Sequence, residues 1–489
     1  MNGELRCHPS IIVENTLQIM FVVVIWLLFA GQLSATILAG MAVIVLVAAL
    51  AFNYWRWKRT LVRFGETEVI VERSTLFKQK KTLPYSKIAS VNVSRGIVSR
   101  LFGTSRLMLN INSGHNAVVP EASLVFKKDL ADRIRAEIAP RLYARDLEPE
   151  EEAVPLASFS LQDVIVHSLF SVPTYQTLLG AAFLAYSIVE LYQSTVQELS
   201  TGGTAFLSLG LFFLLQVVPS FGHMVRYYGF KVHRSGDTIY LQHGLIRSYR
   251  TSFPVYKINA VRVKSTFASR LLHRSCIEAE VVGIASGDGE SSARPVVCLL
   301  RDDDETQRLL RELVPEFIYQ REPTKQPRGA RSVLLIKAAI ASLLVLTVAA
   351  SLTLLVLDPF AARTDALSAV PYALPALATL LVLGIAHAAR TSYRVREFDA
   401  GDDLFTFVNG VLDRETVVMS YDKVQMVHVI KGPLARRFGV SRARVFLLSS
   451  VGTRIITSGL FPEDHLDSVA KTVLERIASG KYDHRVSGT

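Results

Sequence analysis

Apolar positions in this chain follow two different rhythms. Six long runs carry almost no charge: roughly 15–33, 35–54, 172–193, 204–225, 333–357 and 367–389. Elsewhere apolar and polar residues alternate, as in EVIVE (68–72), TIYLQ (238–242) and LFTFV (404–408). About 20 apolar residues in a helix cross a bilayer core of roughly 30 Å, so the six runs predict six transmembrane helices. They stand in three close pairs, and each pair predicts a helical hairpin that returns to the side it left. Alternation with period two predicts half-buried strands.

The strand-rich segments repeat. Lys87 lies in TLPYSKIASVNV, Lys257 in TSFPVYKINAVRV and Lys423 in TVVMSYDKVQMVHV. Four and six residues after each lysine stand valines: Val91 and Val93, Val261 and Val263, Val427 and Val429. Thirteen after comes Arg100, Arg270 or Arg436, and eighteen after comes Ser105, Ser275 or Ser441. A shared register of this kind marks an internal repeat. His243-Gly244 and Asn409-Gly410 predict hairpin turns. LMLNI (107–111), IEAEVV (277–282) and RVFLL (444–448) predict further strands. Each unit closes on an amphipathic helix, best seen in Leu466, Val469, Ala470, Val473, Leu474 and Ile477. The glycine- and serine-rich IASGDGESSARP reads as a loop insertion in the second unit.

This divides the chain into an N-terminal arm with hairpin 1 (1–55), a first soluble unit (56–143) and an acidic linker with a pre-membrane segment (144–171). Hairpin 2 (172–226), a second unit (227–320), a linker (321–332), hairpin 3 (333–389), a third unit (390–480) and a tail (481–489) follow.

Composition sharpens this. The 489 residues are 50% hydrophobic and 20% charged, which excludes a disordered chain. Three cysteines exclude a disulfide scaffold. The formal charge of +11 invites nucleic acid or an anionic membrane as partner. The three tight turns hold none of the 54 Lys and Arg except Arg363. The positive-inside rule then places both termini and all three units in the cytoplasm. Each second helix exits into a basic, aromatic run: YWRWKR (54–59), RYYGFK (226–231) and RTSYRVR (390–396). Patches tethered at a bilayer and lacking interleaved exposed aromatics argue against nucleic acid.

Short antiparallel strands closed by one C-terminal helix follow the pleckstrin-homology (PH) plan. With two hydrophobic helices before each unit, the chain resembles the bacterial membrane-flanked PH-like proteins of the YdbS/YdbT type. Its three repeats match the longer, YdbT-like members, and LRCHPSII (5–12) looks like their N-terminal arm. The fold class expected is therefore an α-helical membrane protein with six helices in three hairpins and three α+β PH-like domains. The resemblance implies residence in the bacterial inner membrane and an envelope or antimicrobial-stress role. It also implies a second, shorter membrane-flanked PH-like protein as partner. Two departures stand out: Met419 and Ser420 replace a proline in the third unit, and the second unit carries its insertion.

Catalytic chemistry is sparse. The 11 histidines form no HExxH or HxH, and the cysteines no CxxC. GxxxxGK[ST], GxGxxG and GxSxG patterns are missing too. No catalytic, cofactor-binding or metal-binding residue is assigned, no cofactor is expected, and the expected role is a non-enzymatic scaffold. The rival is a transporter or lipid-handling component, which needs polar groups inside the bundle. Glu190 reads instead as a solvated helix end.

Candidate headgroup contacts are Lys58, Arg59, Arg63, Lys78, Lys80, Lys81, Arg247, Arg250, Arg394 and Arg396. Each basic residue near an anionic leaflet contributes about 1 kcal/mol. The repeated Lys87, Lys257, Lys423, Arg100, Arg270 and Arg436 read as structural or as contacts between units.

Overall fold

A computed structural model describes residues 4–29, 35–74, 78–111, 121–143, 156–197, 202–282, 294–357, 370–449 and 452–480. Unit 1 begins with β1 (Glu4–Leu5), α1 (Ser10–Phe29) and α2 (Ala35–Lys58). Its first sheet is β2 (Thr60–Phe64), β3 (Glu68–Ser74) and β4 (Lys78–Pro84), with β1 added beside β2. Its second part is β5 (Ile88–Arg95), the short α3 (Ile97–Leu101), β6 (Thr104–Ile111), β7 (Ala122–Lys127) and the closing helix α4 (Lys128–Tyr143).

Unit 2 repeats this order. It has β8 (Ala157–Ser158), α5 (Leu161–Phe170), α6 (Thr174–Gln197), α7 (Gly202–Phe212), a π turn at Phe213–Val217 and α8 (Val218–Tyr227). Then come β9 (Lys231–Ser235), β10 (Thr238–His243), β11 (Ser248–Pro254), β12 (Ile258–Ser265), α9 (Phe267–Leu271), β13 (Arg274–Val281), β14 (Val296–Asp302) and α10 (Asp303–Leu313). Unit 3 has β15 (Thr324–Lys325), α11 (Arg328–Leu357), α12 (Val370–Val395), β16 (Glu397–Ala400), β17 (Leu404–Gly410) and β18 (Arg414–Ser420). It closes with β19 (Val424–Ile430), α13 (Pro433–Arg437), β20 (Arg442–Ser449), β21 (Gly452–Thr457) and α14 (Glu463–Ala478).

The expected strands and both hairpin turns are present. Gly410 has φ +119°, and a Cβ there would meet the Asp413 carbonyl oxygen at 1.9 Å, so the turn requires glycine. Two expectations change. The connectors 144–171 and 321–332 are not purely linkers. Each donates a two-residue strand to the unit that follows, β8 onto β9 and β15 onto β16, as β1 does onto β2. The insertion in unit 2 lies mostly outside the described residues.

The membrane helices also differ in number. Six spans are expected, whereas four helices among the described residues are long and apolar enough to cross: Gly40–Lys58, Thr204–Tyr227, Arg328–Leu354 and Leu374–Val395. A fifth is reached if Leu161–Phe170 and Thr174–Tyr192, bent by 80° at their break, form one span. The remaining run, 15–33, is helical to Phe29 and then enters residues outside the description.

Glu190 is a further correction. It is buried and accepts from the Thr204 hydroxyl across the α6–α7 hairpin, next to a Ser187–Ser208 hydroxyl pair at 2.5 Å. Polar groups between apolar helices satisfy one another rather than face lipid.

The units join edge to edge. Strand β5 of unit 1 pairs antiparallel with β11 of unit 2, and β12 of unit 2 pairs with β18 of unit 3. Each junction makes a continuous seven-stranded sheet. The cores interlock across it. Ala260 of unit 2 packs with Phe405, Phe407 and Phe461 of unit 3, while Leu404 and Val418 of unit 3 pack into the core of unit 2.

Candidate functional site

The junction between units 2 and 3 is built by charge as well as by backbone pairing. Arg262 on β12 is 3% exposed. Its Nη2 donates to Glu280 at 3.1 Å, and its Nη1 to Glu415 on β18 of unit 3. Glu280, fully buried, is also approached by Arg294 Nε at 2.6 Å and receives the Ser449 hydroxyl of unit 3. Burial pushes the Glu278 carboxyl up, but Lys264, Arg294 and Arg262 outweigh it and its pKa is lowered. Buried charges persist only when paired this way. The first junction is lighter: Arg135 donates to Ser252 at 3.2 Å, and Glu14 on α1 pairs with Arg106 at 2.9 Å and Arg247 at 3.3 Å.

The bases of the units meet the membrane helices through the short helices. Thr266 donates to the Phe170 carbonyl at 2.6 Å, and the Phe267 N–H donates to Thr174 Oγ1 at 3.0 Å. Thr174 in turn donates its own N–H and hydroxyl to Asp413 in the turn before β18. Ile97, Leu101 and Phe102 on one base, and Phe267, Leu271 and Leu272 on the next, are exposed apolar side chains. Arg100, Arg270 and Arg436 stand on these short helices. Arg100 and Arg436 are exposed, and Arg270 is half-buried between units. Burial lowers the Arg270 pKa, Arg414 of unit 3 adds to this and Asp413 opposes it.

The three repeated lysines do not share one environment. Lys87 is exposed, whereas burial lowers Lys257 to about 8 and also lowers Lys423. Lys423 lines a cavity of about 790 Å³ between units 2 and 3, with Tyr256, Tyr319, Asp399 and Asp403.

Of the headgroup candidates, Lys58, Arg59, Lys78 and Arg394 are exposed. Arg63 pairs with Glu4 on β1. Lys80 pairs with Glu72 at 3.7 Å and Lys81 with Glu121 at 3.1 Å. Lys81 shares a cavity of about 330 Å³ with Arg56 and Trp57 at the end of α2. Arg247 is largely buried and tied to Glu14, and Arg250 lies half-buried in the β5–β11 junction.

Arg396, the residue after α12, has different company. It lines a cavity of about 250 Å³ with Arg262, Arg442, Arg454, Asn409 and Thr457. The sequence shows no motif here, because the lining is drawn from five strands and one helix end of two units, far apart along the chain. Its only trace is a charged residue, Arg262, at a mid-strand position.

Three repeats, each a membrane helix set followed by two sheets and a closing helix, match a known family model. The model described as Bacterial PH domain covers residues 19–142, 177–315 and 333–477. The chain belongs to the bacterial PH domain family. The UPF0699 transmembrane protein YdbT of Bacillus subtilis (strain 168) is similar to it, 23% identical over 379 residues, which is 70% of this chain and 76% of that protein. No solved structure matches. The chain is thus a membrane-associated protein built from three bacterial PH units.

Proposed function

We propose that this protein is a non-enzymatic membrane scaffold whose open edge strand docks a PH-like unit carried by a separate chain. The carrying observation is β19. The same strand in units 1 and 2, β5 and β12, is covered by the next unit, but among the described residues β19 pairs only with β20. Positions 90 and 260 are 1% and 0% exposed under the following unit, and the equivalent Met426 is 41% exposed. Ile430 is 39% exposed at the position of Ser94, which is 1% exposed. An exposed apolar edge strand is a pairing template.

Both junctions have one register: Val93 faces Arg250, and Val263 faces Thr416 at the equivalent place. Carried to β19, that register sets the β4 strand of a second copy with Lys81 opposite His428, Lys80 opposite Val429 and Lys78 opposite Lys431. Lysines on an edge guard against pairing, and like charges directly opposite are unfavourable. A separate chain with a neutral or acidic edge therefore fits better than a second copy. In this reading the hairpins cross the inner membrane six times and hold all three units in the cytoplasm. Support comes from the turns, which lack Lys and Arg except Arg363.

Photo-crosslinkers placed at Met426 and Ile430 in native membranes test this. The expected adduct maps to the outer strand of the first sheet of a PH-like unit on another protein. Adducts to Lys78–Pro84 of a second copy, or none beyond lipid, overturn it.

A further inference from the structure

We propose that the cavity lined by Arg262, Arg396, Arg442 and Arg454 is a binding site for a phosphate-bearing anion at the membrane end of unit 3. The site is independent of what docks on β19.

Four guanidinium groups converge on about 250 Å³ from separate parts of the fold. Arg396 follows α12 directly, Arg442 opens β20, Arg454 lies on β21, and Arg262 reaches in from β12 of unit 2. Asn409 donates to the Thr457 carbonyl at 2.9 Å, joining β17 to β21 at the wall of the cavity. Helix α13, which precedes β20, packs against α11, so this end of the unit faces the membrane helices.

The cavity is short of negative charge. Among the described residues its only lining carboxylate is Glu415, and Arg262 already engages it. Among the described residues, no ion pair joins Arg396, Arg442 or Arg454 to a carboxylate. The Nε atoms of all four arginines are buried without a hydrogen-bond partner among the described residues. Burial holds Arg396, Arg442 and Arg454 below the ordinary arginine pKa. Neighbouring cations add to it: Arg442 at Arg396, Arg444 at Arg442, and Arg294 and Arg262 at Arg454. Glu280 and Glu415 offset part of this at Arg454.

Desolvated cations with empty donors are costly, and an oxyanion that accepts from several of them removes the cost. Guanidinium forks match the tetrahedral oxygens of phosphate, and a dianion suits the surplus of positive charge. The volume is below the roughly 300–1,000 Å³ of drug-sized sites, which suits a headgroup rather than acyl chains. Two sources present this chemistry: a phospholipid headgroup reaching in from the bilayer, or a soluble phosphate compound.

The test uses the full chain in an uncharged detergent. Three probes are titrated, inorganic phosphate, dihexanoyl phosphatidic acid and dihexanoyl phosphatidylcholine, with binding and the unfolding midpoint as readouts. Phosphatidic acid and inorganic phosphate are expected to bind and to raise the midpoint, with the zwitterionic lipid weakest. A tenfold or larger preference for phosphatidic acid over inorganic phosphate assigns a lipid source, and equal affinity assigns a soluble one. The double variant Arg442→Gln/Arg454→Gln is expected to weaken binding by about tenfold or more, since each charge-assisted bond matters on that scale. Arg437→Gln, exposed and outside the cavity, should bind as the parent does. Arg454→Gln alone serves if the double variant fails to fold. The proposal is overturned if neither phosphate probe binds the parent, or if a folded cavity variant binds like it.

Discussion

Arg262 and His428 occupy the same place in successive units, five residues after the repeated lysine, and meet opposite fates. Arg262 is 3% exposed beneath unit 3 and held by Glu280 and Glu415, while His428 is exposed on a strand that pairs on one side only among the described residues. Two residues earlier, Ala260 lies in its neighbour's core and Met426 lies in the open. One strand design thus serves two purposes. Covered, it lies inside a seven-stranded sheet; uncovered, it is the outer strand of a three-stranded one among the described residues. The opposite end of the array, β4, also pairs on one side only, with β3, among the described residues, but its lysines guard it. Neither edge can be recognised from its own backbone. The side chains show which edge invites pairing and which refuses it.

The covered junction should break most easily at Glu280. Glu280→Ala leaves Arg262 with Glu415 alone and Arg294 with Glu278 alone, each short of one charge-assisted bond in a buried site, and a loss of about 1–3 kcal/mol is expected in denaturant unfolding. Nothing on β19 should approach this.

Unit 2, covered on both sides, should also carry the acid sensitivity. His243 Nδ1 bonds the Arg226 carbonyl at 2.8 Å, and burial lowers its pKa to about 4, with Arg226's charge adding and the carbonyl opposing. The neutral form is favoured in the fold, so its stabilisation is present above about pH 6.5 and lost as pH falls toward 4. A loss of about 3 kcal/mol across that window is expected, flattened in His243→Gln. Unfolding midpoints measured from pH 7 to pH 4 check it.

At the guarded edge, Lys80→Ala/Lys81→Ala removes two exposed pairs and should cost less than about 1 kcal/mol. If β4 is an edge kept apart by charge, the same variant should gain a concentration-dependent dimer in sedimentation. The smallest effect on stability belongs to Met426→Lys/Ile430→Lys, within about 0.5 kcal/mol. That variant should nonetheless lose retention of its partner chain, read as co-purification from cross-linked membranes.

Much of the fold was legible because it rests on local periodicity. EVIVE, TIYLQ and LFTFV alternate and became β3, β10 and β17; Asn409-Gly410 ends β17 and leads into the hairpin turn, where the positive φ of Gly410 demands glycine. The constant register from Lys87 to Lys257 to Lys423 made the repeat visible. Less was legible wherever a residue's role depends on a partner far along the chain. Glu190 read as a solvated end because nothing local announces Thr204 opposite it. Arg247 read as a headgroup contact, yet Glu14, 233 residues away, holds it. Residues 157–158 and 324–325 are too short to show alternation, so their addition to a sheet edge left no signal.

The sequence by itself determined the longer strands and helices, the threefold repeat and the membrane association, since these follow from hydrophobic period and run length. Only the tertiary structure decided which strand edges are used, which one remains open, and which arginines converge without carboxylates. Sheet pairing and charge pairing act between residues more than a hundred positions apart, and neither leaves a pattern within a window of sequence.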